Sequence, residues 1–214
     1  MFPALYAILD PEVAPVPLVT LAGALLDAGV QLMQLRDKRG SAAQLYSQAK
    51  ELQALSSARG GRFLVNDRPD IAAMTGSGGV HVGQQDLPPE EARRICGPTL
   101  WVGVSTHNLE QLREADLTSV DYIAVGPIFP TATKENPDPV VGLEFLRAAR
   151  KLTRKPLVAI GGIAIESAAD VFRAGADSLA VIRDLLAAPD PGARARDYLA
   201  IAERSRTVRD QPHH

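Results

Sequence analysis

This chain has a single cysteine, no excess of basic residues and no long apolar run, and each of these shortages excludes a class of protein. Cys96 is the single cysteine among 214 residues, so a disulfide framework is excluded and a reducing, cytoplasmic setting is predicted. The 23 Lys and Arg residues face 25 Asp and Glu residues, which argues against nucleic acid and anionic membranes as partners. No apolar run approaches the roughly 20 residues of a membrane-spanning helix.

The amino terminus also lacks the features of a secretory signal. No basic region precedes its apolar stretch, which reaches Asp10 early, so no signal peptide is predicted. The hydrophobic content is 46%, enough for a substantial core in one domain of ordinary size.

Short apolar segments alternate with helical patterns eight times along the chain. The first strand is predicted at 5–9, and the helix over 18–28 stops at Gly29, a residue typical of helix C-caps. Ser41 and Gln44 have the spacing of a capping box and begin the second helix. The other predicted strands are 31–35, 62–65, 79–82, 100–104, 122–125, 157–160 and 178–181. The other predicted helices are 69–74, 88–96, 109–115, 141–152, 165–174 and a stretch to about 206, broken at 189–192.

Eight strand–helix units in succession predict an α/β fold, the closed (β/α)₈ or TIM barrel, as a single domain. An open doubly wound sheet is the alternative. It is disfavoured because no GxGxxG follows the first strand and no clear edge strand is found. The catalytic domain is predicted to span 1–206. A flexible polar tail is predicted at 207–214, and its His213 and His214 are given no metal role.

Polar residues follow the predicted strands at the ends where the strands stop. In a barrel of this kind the reacting groups lie at the carboxyl ends of the strands, so these residues are predicted to form one site. The alternative, solvated loop starts, is disfavoured because the opposite strand ends carry mostly Gly, Ala and ordinary surface residues. The strand-end residues are Gln34, Arg36, Lys38, Asn66, Asp67, Asp86, Ser105, Thr131, Thr133, Lys134, Gly161, Gly162, Ile182 and Arg183.

Two acids end adjacent strands. Asp67 and Asp86 should lie close together, and two carboxylates suit Mg²⁺, which takes one or two of them with water and substrate phosphate oxygens. The alternative is structural, with Asp67 paired to Arg36 or Arg68 and Asp86 capping the next helix. No His and Cys spacing indicates zinc.

Cations on the same face suit a phosphorylated ligand. Arg36, Lys38 and Lys134 would converge from strands two and six around a polyanion such as diphosphate. The amides of Gly161 and Gly162 match the phosphate cradle of such barrels. The alternative is that these glycines only start the next helix.

No nucleophile or strong base stands out. Cys96 ends a helix and is more typical of packing than of catalysis. His81 lies within a strand and is more typical of a packed or hydrogen-bonded core histidine than of a base. His107 follows Ser105 in a loop and is a weak acid–base candidate.

Six stretches in this order resemble the thiamine-phosphate synthase (thiamine-phosphate diphosphorylase) family. They are QLRDK at 34–38, VNDRPDIA at 65–72, GVHVGQQDLP at 79–88, GVSTHN at 103–108, GPIFPTATK at 126–134 and AIGGI at 159–163. Together they are highly specific and span nearly the whole chain. The resemblance implies a transferase that joins 4-amino-2-methyl-5-hydroxymethylpyrimidine diphosphate to a thiazole phosphate. The products are thiamine phosphate and diphosphate, and the cofactor is Mg²⁺.

The resemblance also implies roles for individual residues. The catalytic residues are Arg36, Lys38, Ser105 and Lys134. The pyrimidine diphosphate is held by Gln34, Leu35, Arg36, Asp37, Lys38 and Asn66, with Ser105 and Lys134 on the diphosphate. The thiazole phosphate is contacted by Thr131, Thr133, Gly162 and the backbone of Ile182 and Arg183, and Ala132 is a further substrate-binding residue. The metal ligands are Asp67 and Asp86. Arg183 departs from the small Ser usual in the family, a change that a backbone contact would survive.

The implied chemistry is loss of diphosphate to leave a pyrimidine-stabilised cation, which the thiazole nitrogen attacks; Mg²⁺ and the Arg and Lys cluster stabilise the leaving group. Two rivals are weighed. A thiazole tautomerase resembles this barrel but has a His where Pro127 stands and lacks parts of the diphosphate site. A non-catalytic phosphate-binding barrel would not need a leaving-group site. The partners are small-molecule substrates, and a homo-oligomer is left open.

Overall fold

The computed structural model describes residues 1–131 and 138–209. Its eight parallel strands form a closed barrel in chain order, and the last strand pairs with the first. The predicted (β/α)₈ barrel is therefore confirmed. The strands are Leu5–Leu9 (β1), Leu32–Leu35 (β2), Arg62–Asn66 (β3), Gly79–Val82 (β4), Trp101–Thr106 (β5), Tyr122–Val125 (β6), Leu157–Ile160 (β7) and Ser178–Val181 (β8).

Helices connect consecutive strands and cover the outside of the barrel. They are Leu18–Asp27 (α1), Ala42–Ala58 (α2), Pro69–Thr75 (α3), Pro89–Cys96 (α4), Leu109–Asp116 (α5), Gly142–Leu152 (α6), Ala168–Arg173 (α7), Arg183–Leu186 (α8) and Pro191–Arg209 (α9), with a 3₁₀ turn at Ile165–Ser167. The last helix continues past residue 206, and the remainder of the predicted tail, 210–214, lies outside the described residues. None of the helices in the described ranges has the length and apolar character needed to cross a membrane.

Capping side chains start α2 and α5 at their predicted positions. The capping box forms, because Ser41 Oγ accepts from the Gln44 backbone N–H at 3.3 Å and Gln44 Oε1 accepts from the Ser41 N–H at 2.8 Å. Asn108 caps α5 by accepting from the Gln111 N–H at 2.9 Å. These bonds satisfy backbone donors that an uncapped first turn would leave without partners.

Alternate side chains of the strands enter two different cores. Those that point outward, such as Leu9, Leu35 and Val65, are fully buried against the helices. The inner core is small, and its members are Tyr6, Ile8, Leu32, Leu64, Tyr122, Ala124, Val158 and Ala180. Further along the strands the inward positions become polar or small, so the barrel opens into a cavity at its carboxyl end.

Aromatic rings fill the opposite, amino end of the barrel. Phe2 stacks on Trp101 with 5.2 Å between ring centroids, and the Arg62 guanidinium lies 4.0 Å from the Trp101 ring centroid. Phe2 also packs against Tyr122 at 5.3 Å. This packing supports the floor of the cavity from below.

Candidate active site

A cavity of about 380 Å³ lies at the carboxyl ends of the strands, a size typical of small-molecule sites. Most of the predicted binding residues within the described ranges line it, namely Gln34, Arg36, Asn66, Ser105, Thr131, Gly162, Ile182 and Arg183. Three others, Ala132, Thr133 and Lys134, lie outside the described residues. The strand ends therefore bring together residues that are up to about 150 positions apart in the chain, as the barrel fold requires.

Arg36 is held at the cavity wall by a buried acid. Its Nη1 donates to Asp10 Oδ2 at 2.5 Å, and the two side chains are 14% and 2% exposed. A guanidinium carries five N–H groups, more than this bond uses, so Arg36 can also donate to an anion in the cavity. Sequence analysis missed Asp10, although it follows β1 just as the other polar residues follow their strands.

Asp67 has an unusual backbone. Its φ is +60°, and among the described residues no other residue except glycine has a positive φ. Such a conformation costs of order 1–3 kcal/mol and persists where the surroundings enforce it. Here the Asp67 N–H donates to the His81 carbonyl at 2.7 Å. The carboxylate accepts from Asn66 Nδ2 at 2.5 Å and from Lys38 Nζ.

Asp67 lies close enough to Asp86 to affect the pKa of its carboxyl group. Burial raises the pKa of Asp86, and Asp67 raises it further, against the lowering effects of the Gly83 N–H and Lys38. The Gly83 N–H donates to Asp86 Oδ2 at 2.8 Å. Two neighbouring carboxylates repel each other. Either a proton on one of them or a cation bound between them would reduce that repulsion.

The structural roles considered for the two acids, pairing of Asp67 with Arg36 or Arg68 and capping of the next helix by Asp86, are not observed. Arg68 binds Asp70 through two hydrogen bonds of 2.8 and 2.6 Å, and Arg36 is paired with Asp10 instead of Asp67. The helix after Asp86 begins without a side-chain cap. Neither acid is therefore accounted for by the pairing or capping that was considered as an alternative.

The two acids fit Mg²⁺ better than they fit a metal held entirely by protein. In residues 1–131 and 138–209, no group of three or more His, Cys, Asp or Glu could hold a metal ion. Mg²⁺ is commonly bound by one or two carboxylates that leave positions for water and substrate phosphate oxygens. Asp67 and Asp86 could supply those carboxylates. Lys38, whose side chain is 48% exposed, could then turn from Asp67 towards an anion.

Two predicted binding residues of the 34–38 segment point away from the cavity. Leu35 is fully buried in the outer core, because its neighbour Gln34 takes the inward position on β2. Asp37 Oδ1 accepts from the backbone N–H of Arg39 at 3.0 Å and of Gly40 at 2.7 Å, which shapes the loop after β2. The Leu35 side chain cannot reach a ligand in the cavity, so only its backbone could do so.

The glycines after β7 are needed for loop packing. Gly161 and Gly162 have φ of +94° and +63°. A Cβ on Gly162 would lie 2.4 Å from the Pro130 carbonyl oxygen, and one on Gly161 would lie 2.5 Å from Pro127 Cβ. The loop after β6 therefore crosses directly over the two glycines. They do more than start the next helix, since the following 3₁₀ turn begins only at Ile165.

The candidate nucleophile and bases are engaged elsewhere. His81 is 7% exposed and lies 2.9 Å from Tyr122 Oη and 2.8 Å from Ser105 Oγ, as expected of a hydrogen-bonded core histidine. His107 Nδ1 lies 2.6 Å from the Gly126 carbonyl oxygen, so this ring supports the loop after β6. Burial raises the pKa of the Cys96 thiol, which suits packing and not nucleophilic attack.

Comparison with known proteins identifies the family. The family model described as thiamine monophosphate synthase matches residues 5–185. The thiamine-phosphate synthase of Koribacter versatilis is 53% identical over 204 residues, which cover 93% of this chain and 95% of that protein. The thiamine-phosphate synthase of Methanospirillum hungatei is 41% identical over 195 residues, which cover 91% of this chain and 95% of that protein. The solved thiamine phosphate pyrophosphorylase of Pyrococcus furiosus has a TM-score of 0.86 at 33% identity, covering 94% and 96%. This chain therefore belongs to the thiamine monophosphate synthase family.

Proposed function

We propose that this protein joins 4-amino-2-methyl-5-hydroxymethylpyrimidine diphosphate to 4-methyl-5-(2-phosphooxyethyl)thiazole, giving thiamine phosphate and diphosphate. The thiamine-phosphate synthase from Koribacter versatilis, similar over nearly its whole length, supports the activity. The observation that supports the proposed chemistry is that Lys38 pairs with Asp67 near Asp86, while Arg36 lines the cavity. Cations beside an acid pair suit a metal-bound diphosphate as leaving group.

The leaving group is the place where negative charge develops, so it is the place to stabilise. Held by Asp67 and Asp86, Mg²⁺ would act as a Lewis acid towards the diphosphate oxygens. Arg36, fixed by its bond to Asp10, offers preorganised donors that need no rearrangement during the reaction. Lys38 is more exposed than Arg36 and would donate to the diphosphate as negative charge develops on it. Lys134 has the same proposed role.

The pyrimidine ring would lie deeper in the cavity. Gln34 offers an amide from β2 there. Ser105, which the resemblance assigns to the diphosphate, bonds to the buried His81 ring and is proposed here to reach the pyrimidine ring instead, because its hydroxyl and the Gln34 amide suit the ring nitrogens and amino group of an aminopyrimidine. Apolar neighbours such as Ile8 and Ala124 would exclude water from the cation that forms. The thiazole nitrogen would then capture that cation, with no need for a protein nucleophile.

The thiazole phosphate would bind on the side of β6, β7 and β8. Thr131 offers a hydroxyl there, and Gly162, Ile182 and Arg183 offer backbone groups. Ala132 and Thr133 continue the same proposed subsite. Holding both substrates in one cavity is the main source of rate in this proposal, since it replaces an encounter in solution by a positioned attack.

A coupled assay with mass detection tests this function. Enzyme, both substrates and Mg²⁺ should give thiamine phosphate and diphosphate in equal amounts, and omission of any one should abolish both products. Product formation that a chelator does not affect would remove the metal from the proposal. Binding of both substrates without turnover would instead favour a phosphate-binding barrel.

A further inference from the structure

Five side chains from five different strands form a continuous hydrogen-bonded line along the cavity floor, which we call the polar chain. Gln34 Nε2 donates to Tyr6 Oη at 2.6 Å, and Tyr6 Oη lies 3.0 Å from Tyr122 Oη. Tyr122 Oη lies 2.9 Å from His81 Nδ1. His81 Nε2 lies 2.8 Å from Ser105 Oγ. The polar chain thus joins the two residues that are proposed to read the pyrimidine ring.

The middle of the polar chain is sealed from water. Tyr6 and Tyr122 are 1% and 0% exposed, and burial raises the pKa of both hydroxyls above the ordinary value. Each therefore keeps its one proton. The space is built for this arrangement, because a Cβ on Gly103 would lie 2.0 Å from the Tyr122 ring. A hydroxyl without partners in such a place would be costly, so the line is held together.

One proton order gives every hydroxyl of the polar chain an acceptor. Gln34 Nε2 donates to Tyr6 Oη; in this order Tyr6 would donate to Tyr122, and Tyr122 would donate to His81 Nδ1. A neutral imidazole that accepts at Nδ1 carries its proton at Nε2, so His81 would donate to Ser105 Oγ. The proton of Ser105 would then be directed away from His81.

We propose that Tyr6, Tyr122 and His81 are positioning residues that set this proton order, so that Ser105 donates to a ring nitrogen of the bound pyrimidine and the Gln34 carbonyl accepts from its amino group. The inference rests on the proposed function, since it concerns how that substrate is read. An aminopyrimidine presents an acceptor and a donor, and the ordered ends of the polar chain present their complements. The reverse order would leave Ser105 only as an acceptor.

Removal of one hydroxyl tests the role in turnover. In Tyr122→Phe, kcat/KM for the pyrimidine diphosphate should fall about tenfold, the scale of one hydrogen bond, while KM for the thiazole phosphate stays unchanged. Tyr6→Phe should behave alike, and the double variant should lose little more, because the polar chain is already cut. Tyr198→Phe is the matched control: it removes a buried phenol hydroxyl that donates to Asp184 outside the polar chain. Wild-type kcat/KM in both single variants would overturn the proposal.

Nitrogen NMR of labelled histidine tests the order itself, on the wild-type protein without substrates. The His81 signal, assigned by its loss in His81→Gln, should show a protonated Nε2 and a bare Nδ1, and Tyr122→Phe should shift that tautomer balance. A proton at Nδ1, or on both nitrogens, would refute the proposed direction. The NMR measurement does not depend on turnover. A wrong tautomer would therefore refute the proton order alone, whereas wild-type enzyme that forms no thiamine phosphate would refute the proposed function.

Discussion

Asp67 and Asp86 follow the adjacent strands β3 and β4, and Asp67 lies close enough to raise the pKa of the Asp86 carboxyl group. The backbone of Asp67 adopts a positive φ at this point. The strained residue is thus one of the acids proposed to hold the metal, and its turn is tied to β4 through His81. His81 also belongs to the polar chain. The proposed diphosphate site and the proposed pyrimidine site therefore share one strand as their support.

Asp67→Asn should nearly abolish turnover while the barrel still folds. The amide keeps the size of the side chain but removes the charge that a metal and Lys38 use, and loss of such a group typically lowers kcat by about a hundredfold or more. The measurement is kcat at saturating Mg²⁺, with circular dichroism to verify folding. Asp70→Asn, an acid on the outer face that binds Arg68, is the control. Turnover of Asp67→Asn equal to that of the control would contradict the proposed role.

Asp10→Ala should destabilise the fold strongly, because it leaves a largely buried guanidinium without its acid. Breaking a buried pair typically costs about 3–5 kcal/mol of unfolding free energy. Urea unfolding measures this loss, and added diphosphate should recover part of it by giving Arg36 another partner. Glu12→Ala is the control, since its pair with Arg39 is exposed at 42% and 77% and such pairs contribute about 0–1 kcal/mol. An equal loss of unfolding free energy in Asp10→Ala and Glu12→Ala would show that the buried pair of Asp10 and Arg36 stabilises the fold no more than an exposed pair does.

The sequence predicted the fold well because each strand–helix unit carries its own local signals. The pair between Asp10 and Arg36 could not be predicted from local signals of this kind. An acid after a strand resembles any turn residue, and only the register between β1 and β2, with Leu9 opposite Leu35, brings it to Arg36. Local patterns do not report that register.

The polar chain was missed for a related reason. Tyr6 and Tyr122 lie within apolar strands and look like ordinary core residues, which the alternation of side chains supports. Barrel closure alone brings their hydroxyls together from strands that are 116 positions apart in the chain.

Thr133 and Lys134 lie outside the described residues, so their predicted roles stay predictions.

Gly162→Ala should disturb both stability and binding of the thiazole phosphate. The new Cβ would collide with the Pro130 carbonyl, and the backbone would be strained at φ +63°, so a loss of about 1–3 kcal/mol is expected. The displaced loop should also raise KM for the thiazole phosphate. Gly23→Ala within α1, where a Cβ meets nothing within 4 Å, should instead be neutral or stabilising by up to about 1 kcal/mol. A melting temperature of Gly162→Ala at or above that of wild type would contradict the packing argument.

Arg183→Ser tests whether the long side chain at the end of β8 contributes to binding. Arg183 lines the cavity, and its side chain makes no hydrogen bond or ion pair with any other described residue, so its guanidinium is available to a phosphate. Its charge should strengthen ground-state and transition-state binding equally, because the phosphate is remote from the reacting bond. KM for the thiazole phosphate should therefore rise about tenfold in Arg183→Ser with kcat unchanged.

Arg183→Lys separates charge from shape at the same position. It keeps the positive charge but loses the planar fork, so its KM should lie between those of wild type and Arg183→Ser. The difference between wild type and Arg183→Ser should also shrink as salt is added, since exposed charges are screened. An unchanged KM in Arg183→Ser would mean that only the backbone at this position serves the phosphate, and that the arginine side chain turns into solvent.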